Sequence, residues 1–303
     1  MNKRRLRAYL ELFCVVVIWG IAAVVIKATL NDVHPPLFLA YRFLLSTLIA
    51  LPAVGALLKL RKKSIRTQLE IFIYAMLSVP VALGFLFWGL SQTTVVNLSV
   101  LTATSPLLLS VAGVYYFKEH MTRRARVGAT LALVGALLTI IEPVIQNYNG
   151  IGSFAGNLLL LVYLVADISS ILLLKKLTRQ GVGTEVLTHL SFVFGFVVFA
   201  PLLLLTVSPE EILRQVGGMS VFAHLGVVFM AVVSGTFAYN LRAKAQKYLT
   251  INEASLFGYL SPIISTILAL IFLSEHITLL YGVGATVIAI GVFLAEFKKS
   301  RPH

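Results

Sequence analysis

One carboxylate stands alone in a long apolar run: Asp167, in LLLLVYLVADISSILLLKK. An acid at the centre of a bilayer costs about 2.5–3.5 kcal/mol on insertion scales, so it must face the inside of a bundle. Tyr163, Asp167 and Ser170 are spaced i, i+4 and i+7, which puts them on one helical face. Such an acid can be a proton site or a contact for a substrate amine. It can also be a structural charge neutralised by a basic partner such as His189 or Lys27. His189 titrates near neutral pH and is a second candidate for proton coupling, unless it is simply hydrogen-bonded. Arg42, a turn or so into another apolar run, can meet a substrate carboxylate or snorkel to lipid headgroups. Lys27 lies nearer a run end and has the same two readings.

Trp19, Trp88, Tyr163, Tyr239 and Tyr259 are candidate wall residues of an organic-solute pocket, since such pockets are mostly apolar with few polar groups. Trp19 is mid-run and so outside an interfacial belt, whereas Trp88 lies near a boundary and fits one. Gln92, Asn97 and Asn240 supply polar contacts to a solute or cap helix ends. Together with Arg42 and Asp167 these residues form the expected substrate-binding set. The sequence contains no G-x-x-x-x-G-K-[ST] loop and no H-E-x-x-H, and Cys14 is its only cysteine. No ATP site, metal site or other cofactor is therefore expected. Asp167 has no second mid-membrane acid, which disfavours an aspartyl protease and, more broadly, an enzyme.

The elements that hold these residues follow from composition. The 303-residue chain is 58% hydrophobic and 12% charged, with a mean hydropathy of +0.92. A soluble domain carries about 25% charged residues, so most of this surface faces lipid. Ten runs are long enough to cross roughly 30 Å of hydrocarbon as helices: 10–30, 37–58, 71–91, 95–117, 125–145, 154–174, 186–207, 221–241, 253–273 and 279–297. They do not alternate polar and apolar residues as barrel strands do. The net charge of +13 does not mark a nucleic-acid binder, because the basic residues fall in short clusters between runs. Of the 25 lysines and arginines, only Lys27, Arg42 and Arg214 fall away from one face of the membrane. Both termini are thus expected to be cytoplasmic, in a multi-pass protein of the cell membrane. The MNKRRLR start resembles a signal peptide, but the apolar run behind it is too long, and it reads as an uncleaved first span.

The chain repeats itself. TSPLLLSVAGVYYFKEHMTRRARVGATLALVGALL from Thr104 aligns with LSPIISTILALIFLSEHITLLYGVGATVIAIGVFL from Leu260 at a constant offset. Ser105 meets Ser261, Pro106 meets Pro262, and Glu119–His120 meet Glu275–His276. Thr122 meets Thr278, Gly128 meets Gly284 and Gly135 meets Gly291. Pro106 and Pro262 predict paired kinks, with Ser105 and Ser261 re-satisfying freed carbonyls. The Glu-His pairs close helix ends, Thr122 and Thr278 cap the next helices, and the glycines allow close helix packing or a dimer surface. Two units of five helices, an odd number, predict an inverted repeat and alternating access at the interface between halves.

At this point the chain resembles the drug/metabolite transporter superfamily in its ten-helix EamA-type branch. The resemblance rests on length, on the duplication, on the SP…EH.T…G……G pattern, and on Trp19–Gly20 and Arg42. It covers the whole chain and specifies the family far better than the substrate. It implies an all-α membrane protein of two EamA-type repeats, 1–148 and 149–303, moving a small organic metabolite such as an amino acid, with export common in bacterial members. The expected cavity is lined by spans 1, 3, 4, 6, 8 and 9. The expected partners are the bilayer and a small-molecule substrate, with no nucleic acid, in a monomer or homodimer. The rival readings are a membrane-embedded enzyme and a non-transporting helper subunit.

Overall fold

The computed structural model describes residues 3–53, 63–117, 122–145, 152–245, 248 and 257–296. Glu119, His120, the 148/149 junction, and the parts of the 37–58 and 253–273 spans beyond 53 and before 257 lie outside the described residues. Among the described residues the regular elements are all helices. They are α1 (Lys3–Thr29), α2 (Pro35–Ala50), α3 (Ile65–Gln92), α4 (Val95–Ala103), α5 (Ser105–Phe117) and α6 (Arg123–Ile145). Beyond these come α7 (Phe154–Arg179), α8 (Thr184–Thr206), the short α9 (Pro209–Gly218), α10 (Val221–Val228, continued through Ala238–Ala245), α11 (Leu260–Phe272) and α12 (Leu279–Glu296).

Apolar runs supply the helices, and Ser or Thr residues set where they begin. Ser64, Thr94, Thr122, Ser153, Ser208, Ser220 and Thr278 each accept a hydrogen bond from the backbone N–H three residues on. That is the N-cap bond that serves one of the orphan donors of a first turn. Thr122 and Thr278 are the two expected caps. Among the described residues seven helices are long and apolar enough to cross a membrane, counting α4 and α5 as one. The shorter apolar helices α2, α11 and α12 would complete the expected ten. Large apolar side chains point outward, with Leu205 85%, Phe222 85% and Leu279 88% exposed, the reverse of a water-facing surface.

The helices pair in a regular pattern. α2 lies along α8, and α6 lies along α12. α1 packs on both α10 and α11, while α7 packs on both α3 and the α4–α5 pair. Small residues permit these approaches. A Cβ on Gly135 would sit 2.7 Å from the Gly284 carbonyl oxygen, and one on Gly128 would collide with that of Gly291. The glycines at one-face spacing therefore face each other across the α6–α12 seam, inside one chain.

Two helices depart from α geometry at matching places. α3 passes through a π-helical stretch at Leu77–Val81, which contains Pro80, and α10 does so at Phe229–Phe237. Such bulges widen the turn and re-aim side chains, often at functional sites. α4 and α5 break at Thr104, just before Pro106, and α11 starts after a turn at Tyr259 with Pro262 in its first turn. Among the described residues, hydroxyls bonded to carbonyls near the prolines include Thr102 to Leu98 (2.8 Å), Thr104 to Leu101 (2.6 Å) and Ser265 to Pro262 (3.1 Å), and no such bond is made by Ser105 or Ser261. The helices restart at the prolines instead of bending over them, so the serines beside the prolines have less to repair.

Candidate functional site

Mid-way along the bundle, α1, α2, α3, α7, α8 and α10 bring a polar group together. Trp19 of α1 donates its indole Nε1–H to the Ser234 carbonyl, 3.2 Å away, within the π-helical stretch of α10. Its ring meets Tyr239 edge-on with centroids 5.4 Å apart, and Tyr239 meets Phe192 of α8 edge-on at 5.8 Å. The Arg242 guanidinium lies 5.2 Å from the centre of the Trp19 ring. This is a cation–π contact, favourable by about 0.5–2 kcal/mol.

Asp167 of α7 is half-buried and lies in the electrostatic field of Arg242. Tyr163, one turn before it, and Tyr239 both lie in the field of the same pair. Lys27 is not the counter-charge considered for Asp167, because its Nζ donates to the carbonyls of Leu90 and Thr93, each at 2.7 Å. Nor is His189, which is 6% exposed and feels Glu185 of its own helix. The charge facing Asp167 is Arg242. Ser170 turns back onto the Asp167 carbonyl at 2.8 Å.

Arg42 is 2% exposed, so it does not snorkel to headgroups. Its guanidinium sits 5.3 Å from the Phe43 ring centre and 5.6 Å from that of Phe87. Its Nε and Nη1 are buried without a hydrogen-bond partner, as are Ser46 Oγ and His189 Nδ1. Tyr239 stands in the field of both Arg42 and Asp167, which links α2 to the group. Tyr74 of α3, only 3% exposed, adds a hydroxyl bonded to Ser78 and Ser191, which are themselves 3.0 Å apart.

Other expected site residues stand elsewhere. Asn97 is fully buried and bonds Thr93 at 3.2 Å and Asn157 at 3.0 Å. Thr93 donates to the same Asn157 oxygen at 2.6 Å, and Asn157 donates to the Thr139 carbonyl at 3.1 Å. This cluster ties α4, α6 and α7 together. Gln92 is exposed at the end of α3. Trp88 lines a cavity of about 290 Å³ with His34, Pro35, Leu203 and Gln215. Tyr259 and Pro262 line a larger, apolar cavity of about 530 Å³ with Val100, Ala103 and Ile288. That cavity is the more spacious of the two, but it carries no charged side chain, so the chemistry lies with the Asp167 group. Asn240 is half-buried next to Tyr239.

The turn between α3 and α4 is held by two charges of opposite sign. Lys27 takes the last carbonyls of α3, while the Glu275 carboxylate accepts the N–H groups of Val95 (2.9 Å) and Val96 (2.8 Å) at the start of α4. Each charge complements the helix dipole end it meets. Glu275 therefore closes more than its own helix end.

Sequence reasoning missed Arg242, Tyr74, Glu142 and both π-helical stretches. Arg242 was grouped with the cations that set topology, yet it lies three residues after Tyr239 and so shares its helical face. Glu142 is a fully buried acid; it accepts from the Thr278 hydroxyl at 2.6 Å, where the end of α6 meets the start of α12. Among the described residues no group of three or more His, Cys, Asp or Glu could hold a metal ion. α2 and α8 join the expected spans 1, 3, 6 and 8 (α1, α3, α7 and α10) around the Asp167 group through Arg42 and Phe192, while Val100 and Ala103 of α4 and Pro262 of α11 line the 530 Å³ cavity, beside the Ser99–Ser265 hydroxyl contact at 2.7 Å.

The family model of EamA-like transporters matches the chain twice, over residues 6–141 and 154–297. An uncharacterized transporter of Methanothermobacter thermautotrophicus is 25% identical, over 96% of this chain and 86% of its own. An uncharacterized transporter of Bacillus subtilis is 23% identical, over 99% and 90%. A protein of Salmonella typhimurium named "probable amino-acid metabolite efflux pump" is 24% identical, over 93% and 92%. A crystal structure with 17% sequence identity superposes with a TM-score of 0.62 over 95% of this chain and 97% of that one, a likeness of fold.

Proposed function

Since the chain belongs to the EamA-like transporter family, and so is a multi-pass membrane transporter, we propose that it is a secondary carrier of a small organic metabolite. The solute class we favour is an amino acid or a related compound, carried outward across the cytoplasmic membrane by alternating access. One observation carries this reading. Asp167, Arg42 and Arg242 gather in the bundle interior with Trp19, Tyr163 and Tyr239, where no cofactor or metal motif explains the charges. Intramembrane charges are costly and mark solute or proton pathways. An acid, basic groups and aromatic faces together suit a small solute with both charged and apolar parts.

The proposed architecture is ten spans in two inverted five-helix repeats, with both termini cytoplasmic. Helix pairing supports it: α2–α8 and α6–α12 are self-matched pairs, and α1 contacts α10 and α11 as α7 contacts α3 and α4–α5. The double family match and the π-helical stretches in α3 and α10 support the same symmetry. Two similar halves can exchange conformations at similar energy, which is the basis of alternating access. The name of the Salmonella relative supports the choice of solute class and direction.

The test is counterflow in proteoliposomes without ATP, using pooled labelled amino acids at two pH values. Saturable exchange is expected. Its absence for every pool, alongside exchange of other organic solutes, would remove the amino-acid assignment; no exchange of any organic solute would remove the carrier.

A further inference from the structure

Arg42 is a cation buried to 2% exposure with two donor nitrogens that have no acceptor. A guanidinium stays protonated under physiological conditions, and burying one without an anion costs several kcal/mol. The Phe43 and Phe87 rings offset only about 2 kcal/mol of this. Its Nε and Nη1 have no hydrogen-bond partner. Among the described residues no acidic side chain acts on it, and the titratable group in its field is Tyr239. A helix packed this closely onto α8, with Phe43 stacked on Phe192 and Phe199 at 6.2 and 5.9 Å, cannot let the side chain escape to water.

We propose that Arg42 and Asp167 border one solute chamber, in which Arg42 is the oxyanion subsite that receives the acidic group of the solute. Either fork of the guanidinium can take a carboxylate or a phosphate through two parallel N–H···O bonds. Tyr239 lies in the field of both Arg42 and Asp167, so one ring couples the proposed anion-binding residue to the acid. A solute with an acid at one end and an ammonium or other donor at the other fits both. Neutral or purely cationic solutes leave Arg42 unpaired and are disfavoured. This deepens the carrier reading and rests on it.

The experiment uses the full chain in detergent or nanodiscs and reads melting temperature, so it does not need transport. In chloride buffer, Arg42→Met should melt at the same temperature or higher, because it removes an unpaired buried charge. A structural arginine would instead show a clear drop. Titrated acetate and inorganic phosphate, at matched ionic strength, should give a saturable rise in the wild type that is lost in Arg42→Met. Arg42→Lys should need at least tenfold more anion. The more effective anion identifies the acid as carboxylate or phosphate. An equal rise in wild type and Arg42→Met, no saturable rise with either anion, or a large drop in Arg42→Met without anion would each overturn the subsite. Failure of the carrier reading shows separately, as absent counterflow in proteoliposomes.

Discussion

Two polar regions lie inside the same bundle, and they are built in opposite ways. At the α3–α4 turn, Thr93, Asn97 and Asn157 bond one another, Lys27 takes two carbonyls, and Glu275 takes two N–H groups. In the chamber, Asp167 faces Arg242 across space, and Arg42 keeps buried donors without acceptors. Buried polar groups are ordinarily satisfied, because each unmade bond costs about 1–3 kcal/mol. The turn, whose two charges each hold two backbone partners, therefore reads as architecture. The unsatisfied region reads as a place whose partners arrive from outside.

This contrast predicts effects of different kinds in the two regions. The largest falls on the turn: Glu275→Gln removes the charged acceptor of two backbone donors and should cost about 3 kcal/mol, at 1.5–3 kcal/mol for each such bond. A clear fall in melting temperature checks it, with the KM of the folded fraction unchanged. An intermediate effect falls on the chamber. Arg242→Gln should raise the KM of counterflow about tenfold, equivalent to about 1.4 kcal/mol, with a smaller fall in melting temperature than Glu275→Gln from the lost Trp19 contact. A fall in melting temperature with an unchanged KM would place Arg242 among the architectural charges.

The smallest falls outside both regions. On the exposed α9, hydrogen bonds from Arg214 and then Gln215 hold the Glu211 carboxyl below the usual carboxylate range. A depressed carboxyl stabilises the fold above its unfolded pKa and loses that effect as pH falls through its folded value. Such surface pairs contribute little. Arg214→Gln should therefore leave neutral-pH melting and transport unchanged and touch only the acid limb of a melting-versus-pH series. A sharp loss at pH 7 would mean α9 does more than its exposure suggests.

Much of the scaffold is legible in the residues because helix length, caps and close packing are local properties. The Gly128 and Gly135 spacing marks a close-packing face, which the structure places on α12 within one chain, and Thr122 and Thr278 give two helix starts. Asp167 and Trp19 stand out because their types are rare at mid-span. Arg242 did not stand out, because a cation near a run end looks like a topology signal until the π-helical stretch of α10 is seen to precede it. Arg42 left two readings open, snorkelling or binding, and only packing on α8 decides that it is buried. Asn97 looked like a solute contact because nothing local reveals Asn157, 60 positions away along the chain. What the residues hide is tertiary pairing between the halves.

The most direct test sets Asp167→Asn against Asn157→Ala, each measured for melting temperature and for counterflow per folded molecule. The account predicts that Asp167→Asn melts like the wild type and loses about a hundredfold or more of its exchange, roughly 2.7 kcal/mol. It predicts that Asn157→Ala melts well below the wild type and exchanges with an unaltered KM while folded. Full exchange in Asp167→Asn together with a lowered melting temperature would contradict it, and would make the chamber one more structural cluster.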